Sequence, residues 1–194
     1  RDRLRSRGLG DVYKRQASSD TTFPDKLISY FSILSMLTRQ LINIPVHLGL
    51  DHLPNIYCGV AVFVLLPLYI MCSKVNAREK IGKCVILLIF LTAFNLNIPN
   101  YIWHGMHFPN SLPCRQSFIY IFFLLAMCYE AVINLKNSTN RQLGASLWIA
   151  IGLLLIMEEL FINSETEYSF KSVYISGIFT VSYTHLRAHE TGAY

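Results

Sequence analysis

Charge is scarce in this chain. Only 15% of its 194 residues are Asp, Glu, Lys or Arg, against roughly 25% in an average soluble domain. That deficit excludes an ordinary cytosolic enzyme and a disordered tail, neither of which is 53% hydrophobic with a mean hydropathy of +0.37. The five cysteines, Cys58, Cys72, Cys84, Cys114 and Cys128, form no CxxC pair and no zinc spacing, so a disulfide scaffold is excluded too. There is no glycine-rich phosphate loop, no Ser-His-Asp spacing, no carboxylate dyad and no internal repeat. What remains is a composition suited to lipid.

The formal net charge of +5 would point to nucleic acid or anionic lipid, but much of it sits at the two ends. Residues 1–16 (RDRLRSRGLGDVYKRQ) and 181–194 (VSYTHLRAHETGAY) look unrelated as peptides. One choice of codons for Ser6–Gln16 has a reverse complement that encodes Val181–Glu190 in order. The shared string resembles a transposase mosaic end with its sequencing-library primer. Residues 1–16 and 181–194 are therefore expected to be adapter-derived flanks. Residues 17–180 then carry a net charge of +1, and no nucleic-acid partner is expected. This core has no natural start or stop signal, so it is expected to be an internal fragment of a longer protein.

A helix needs about 20 apolar residues to span a bilayer. Four runs qualify: Ile56–Cys72, Ile81–Asn97, Phe118–Leu135 and Gly144–Asn163, with a fifth cut off at Thr180. The expected fold is an all-α, polytopic membrane bundle over residues 56–180, preceded by an outer segment over 17–55. Within that segment Lys26–Leu41 has helical apolar spacing. It reads equally as an amphipathic helix on the interface or as one packed on the bundle. Lys74, Arg78, Lys80, Lys83, Lys136 and Arg141 crowd the short loops 73–83 and 136–143. The positive-inside bias places those loops in the cytoplasm, and loops 98–117 and 164–171 outside.

Chemistry concentrates in residues 97–118, NIPNYIWHGMHFPNSLPCRQSF. Arg115 suits bidentate capture of a phosphate or carboxylate. His104 and His107 can bond phosphate or move a proton. Trp103 offers a ring face to a sugar. Asn110 adds a polar group, although an interfacial belt of aromatics with polar caps explains each residue singly. Gly105 and Pro109 argue against a helix that would pair the two histidines on a metal. Asp51 and His52 read either as a second wall of this outer site or as a helix-entry turn capped by Asp51. Glu158 and Glu159 face a cavity or reach the interface. Glu130 is expected to make an interior hydrogen bond beside Tyr129, and Lys83 to snorkel. Asn137-Ser138-Thr139 is a chance sequon on the cytoplasmic side.

Three stretches carry a family resemblance: Leu53-Pro54-Asn55-Ile56-Tyr57-Cys58-Gly59, Arg78-Glu79-Lys80-Ile81, and Asn100-Tyr101-Ile102-Trp103-His104-Gly105 followed by Phe108-Pro109-Asn110, Pro113, Arg115 and Ser117-Phe118. They resemble the YfhO family of bacterial membrane proteins. Met106, Cys114 and Gln116 depart from the aromatic residues common there. The resemblance implies a GT-C-like glycosyltransferase. It would move a sugar from an undecaprenyl-phosphate carrier to an envelope polymer such as lipoteichoic acid, on the outer face of the bacterial membrane. It implies Arg115 for the phosphate and Trp103 and His104 at the sugar end. The catalytic acid is expected upstream of Ala17. No cofactor is expected, a divalent cation being left open. A transporter or flippase of the same lipids, which would need broken helices and midplane polar groups, often in repeated halves, and a non-catalytic envelope assembly protein are the competing readings.

Overall fold

Polar interruptions in the apolar chain set the element boundaries. The computed structural model describes residues 23–46, 53–108, 114–162 and 170–191. Its helices are α1 (Ile33–Thr38), α2 (Val62–Met71), α3 (Ala77–Asn95), α4 (Asn97–Trp103), α5 (Ser117–Ile133), α6 (Asn140–Ile162) and α7 (Phe170–Thr191), with a 3₁₀ turn over Asn134–Asn137. No strand occurs among the described residues. The all-helical expectation holds at that level.

The expectation of four full spans is met only in part. Two helices are long and apolar enough to cross a membrane, Ser117–Asn137 and Asn140–Glu159. The expected span Ile56–Cys72 is helical only over Val62–Met71. Ten residues rise about 15 Å, half the roughly 30 Å of hydrocarbon. The start is delayed because residues 53–58 are non-helical and Gly59 takes φ +108°, a turn that glycine makes at little cost. Val62, Phe63, Val64, Leu68 and Tyr69 of α2 are buried, and α2 packs against both α5 and α6. It is the hub of the bundle. The chain runs through α7 past Val181 as continuous helix to Thr191.

The second expected span is broken where the sequence alone shows only an apolar run. Pro99 has no N–H, and its ring would clash with the carbonyl four residues back, that of Asn95. The helix stops there, and Leu96 turns extended at ψ 136°. The freed Asn95 carbonyl accepts from Tyr30 N–H at 2.9 Å. Asn95 Oδ1 accepts from Phe31 N–H (3.0 Å) and Ser29 Oγ (3.1 Å). Asn97 Oδ1 accepts from Ile28 N–H (2.9 Å), and its Nδ2 donates to the Lys26 carbonyl (2.8 Å). Residues 26–31 are thereby held extended along the break, with a bridge between Ser29 and Leu96. This corrects the helix expected over Lys26–Leu41, which is reduced to the six residues of α1. The two asparagines offer the backbone of 26–31 a better set of partners than a helix would.

The opposite end of the bundle collects the basic loops. The last carbonyls of α2 are capped by side chains from other helices. Lys80 Nζ donates to the Ile70 and Cys72 carbonyls, and Gln142 Nε2 donates to Met71 at 2.9 Å. Thr139 and Gln142 form a reciprocal capping box at the start of α6, so the Thr139 hydroxyl of the chance sequon is engaged there. Lys83 on α3 bonds both Glu79 and, across the helix gap, Glu130 on α5. This replaces two expectations. Lys83 is paired rather than snorkelling, and Glu130 takes Lys83 while Tyr129 is exposed.

Apolar faces point outward as well as inward. Phe118, Phe122 and Tyr129 make one exposed stripe on α5, and Ile81, Val85 and Leu88 make another on α3. Such stripes on a soluble monomer would be a liability, and they fit lipid contact.

Candidate functional site: the α3–α4–α5 turn

The residue pattern Trp103-His104-Gly105-Met106 ends a helix, and its geometry explains the glycine. Gly105 N–H donates to Ile102 O (3.2 Å) and Met106 N–H to Tyr101 O (3.0 Å), with Gly105 at φ +74°. That is a Schellman cap, whose central left-handed residue favours glycine. The expectation that no helix carries the His104–His107 pair holds, since both lie beyond Trp103. The expectation that the whole of 98–117 is loop does not, because Asn97–Trp103 is helical.

The cap places three of the expected site residues together. Trp103 packs edge-on against Phe90 with ring centroids 4.9 Å apart, yet remains 41% exposed. The rings of His104 and His107 meet at 6.4 Å, nearly perpendicular. His104 Nδ1–H donates to the Asn100 carbonyl at 2.8 Å, which turns Nε2 inward. Nε2 is buried with no hydrogen-bond partner among the described residues. Tyr101 packs edge-on against Phe23 and at a tilt against Phe108.

Arg115 belongs to the entry of α5. Cys114 takes φ +62° and is buried, Gln116 is buried, and Arg115 between them is exposed. A cation at the N-terminal end of a 17-residue helix adds its charge to the positive end of the helix dipole. The entry is anchored to the α3–α4 break: Cys114 Sγ points at the Phe94 carbonyl (3.9 Å). Burial pushes the Cys114 thiol up to about 12. Burial likewise raises the Tyr30 hydroxyl, and the nearby Asn100 amide opposes the shift. Asn110 and Asp51 lie outside the described residues. No group of three or more metal-ligating side chains occurs among the described residues.

A family profile described as bacterial membrane protein YfhO matches residues 12–188. The chain belongs to the YfhO family. No curated protein and no solved structure matches it. The family-like stretches now have structural jobs. Pro54 and Asn55 hold Arg39: its Nε donates to the Pro54 carbonyl (3.2 Å) and its Nη2 to Asn55 Oδ1 (2.6 Å). Arg39 is only 3% exposed. Arg78-Glu79-Lys80-Ile81 starts α3, where Asn76 Oδ1 accepts from Arg78 N–H (3.1 Å). Residues 100–108 form the Schellman cap and its aromatic packing.

Sequence reasoning missed a set of buried polar side chains: Arg39, Gln40, Asn95, Asn97, Asn100 and Gln116. The amides of Asn97 and Asn95 are used to fix residues 26–31. Those of Gln116 have no partner among the described residues. A signal was present in the spacing Asn95, Asn97, Asn100 around Pro99, and in polar Thr38-Arg39-Gln40 set between Leu37 and Leu41. Polar residues inside apolar segments are costly unless something requires them.

Proposed function

We propose that this YfhO-family chain is part of a polytopic membrane glycosyltransferase. It takes a sugar from a polyprenyl-phosphate carrier and transfers it to a cell-envelope polymer of teichoic-acid type on the outer face. In this reading α3, α5 and α6 cross the bilayer, α7 up to Thr180 is the truncated start of a further span, and α2 packs against α5 and α6. The end bearing Lys80, Lys83 and Gln142 faces the cytoplasm, and residues 98–117 face outward. The observation that carries the reading is Arg115. It stands exposed between two buried residues at the mouth of an apolar helix, and its neighbour Cys114 is tied to the Phe94 carbonyl at the end of α3, just before the helix that carries Trp103. A lipid-linked sugar phosphate needs a cation at the membrane surface, an aromatic face for the sugar, and apolar helices for the tail. His107, Asn110 and Asp51 are assigned to the sugar-facing side.

The test is Arg115→Ala and Arg115→Lys in the full-length protein, read as glycosylation of the envelope polymer. A charge-assisted hydrogen bond is worth about 1.5–3 kcal/mol, so Arg115→Ala should lose at least about tenfold activity. Lys, a point charge without the planar fork, should recover part of it. Unchanged glycosylation in Arg115→Ala would remove the phosphate assignment.

A further inference from the structure

Four helix ends converge where the basic loops collect. Gln142 holds the start of α6 to the last carbonyls of α2, and Lys80 holds the start of α3 to the same place. Lys83 ties α3 to the end of α5 through Glu130. Two of the six cations gathered there are used inside the bundle, Lys80 on carbonyls and Lys83 on Glu79 and Glu130. The other four, Lys74, Arg78, Lys136 and Arg141, are exposed. Residues 73–83 and 134–143 hold no acid besides Glu79, so the four crowd one surface without a carboxylate to balance them. Each of three stands at the head of an exposed apolar line. Behind Arg78 on α3 come Ile81, Val85 and Leu88 at helical spacing. On α5, Leu125, Tyr129 and Val132 lead to Lys136 in the 3₁₀ turn. On α6, Arg141 leads to Trp148, 73% exposed, and then to Leu155. Tyr129 and Trp148 are each seven residues from their cation, roughly 10 Å along a helix. Both rings therefore lie at one depth, as rings at the headgroup level of a membrane do.

We infer that this end of the bundle is a docking surface for anionic phospholipid, with headgroup phosphates on Arg78, Lys136 and Arg141 and acyl chains along the apolar lines behind them. Lys74 adds to the attracting field. The inference needs only a chain embedded in a membrane and is independent of the glycosyltransferase reading. The pairing of cation and apolar line selects the partner. A nucleic acid or an acidic peptide would meet the charge and gain nothing from the lines. A zwitterionic lipid would bring a cation of its own to a surface already in excess of positive charge. An anionic lipid satisfies both parts, and a basic cluster at a helix end is the arrangement that recognises its head.

The experiment titrates the full-length protein in detergent micelles with phosphatidylglycerol and phosphatidylcholine of identical chains, and native mass spectrometry reads the ratio of their affinities. A Lys or Arg at an anionic lipid surface contributes about fivefold, so the parent should prefer phosphatidylglycerol at least about fivefold. The variant Lys74→Gln/Arg78→Gln/Lys136→Gln/Arg141→Gln should bring the preference below about twofold. Arg78→Lys/Arg141→Lys should keep it, since the sign of the charge and not the planar fork is what counts. Lys26→Gln removes one exposed cation at the opposite end of α3 and should leave the preference unchanged. Lys136→Glu, on the exposed turn, should by itself lower it at least about twofold, which keeps the test open if the fourfold variant does not fold. A parent without preference overturns the proposal. So does a fourfold variant that keeps it, which would leave the cations to an acidic protein segment. An equal loss in Lys26→Gln makes the effect one of total charge and overturns the site. Displacement of phosphatidylglycerol by equimolar glycerol phosphate shows recognition of the head alone, and the apolar lines then have no part in it.

Discussion

Removing the Glu130 carboxylate should reveal how the end of the bundle that collects the basic loops is held. Lys83 Nζ bonds Glu130 on α5 and Glu79 one turn back on its own helix, and it lies 5.5 Å from the centre of the Tyr69 ring on α2. One ammonium thus ties α2, α3 and α5. At an effective dielectric near 20 the attraction between such a pair at about 4 Å is about 4 kcal/mol before desolvation. Losing one partner of a fully buried pair costs about 3–5 kcal/mol, because the other charge is left stranded. The Lys83 and Glu130 side chains are 19% and 31% exposed, so solvent screens part of that, and Glu130→Gln should cost about 2 kcal/mol. Glu79 is 49% exposed and sits at i,i+4, so Glu79→Gln should cost under about 0.5 kcal/mol. The double variant Lys83→Met/Glu130→Leu strands no charge and should return to within about 1 kcal/mol of the parent. The assay is equilibrium unfolding in detergent micelles, with all four proteins at one protein-to-detergent ratio. Should Glu130→Gln prove no worse than Glu79→Gln, or the double variant prove no more stable than Glu130→Gln, the cross-helix tie would carry no coupling and the reasoning would fail.

Two further outcomes follow from the α3–α4–α5 turn. Asn97→Ala frees both the Ile28 N–H and the Lys26 carbonyl, at about 1 kcal/mol per lost bond. It should release residues 23–31, seen as faster amide exchange at Ile28 and Tyr30 with little change in α6. At Cys114, burial lifts the thiol from 9.0 to about 12. Below pH 9 both folded and unfolded chains keep the proton and the thiol's contribution is fully present. Above it the unfolded chain ionises first, so stability falls as pH rises toward 12. Cys114→Ser should flatten that slope between pH 9 and 11. In the parent, iodoacetamide at pH 9 should label Cys114 at least about tenfold more slowly than in denaturant.

Much was legible without coordinates. The apolar runs, the low charge and the clustering of Lys and Arg in residues 73–83 and 136–143 fix an all-helical membrane chain, because lipid leaves backbone groups no partner but one another. The motif around Trp103 and His104 marks the turn, and the glycine within it announces a helix end. Composition has no means of giving the partners of polar groups. Whether Lys83 meets solvent or Glu130, whether Lys26–Tyr30 coils or lies extended, and whether Arg39 and Gln40 are surface or core depend on contacts between residues far apart in the chain. Pro99 shows the division. Its missing N–H is written in the sequence, but only the fold brings the Tyr30 N–H to the carbonyl it leaves free. The α2 segment shows it again: its hydrophobicity says that it avoids water, and the surrounding helices decide that it is a buried ten-residue hub.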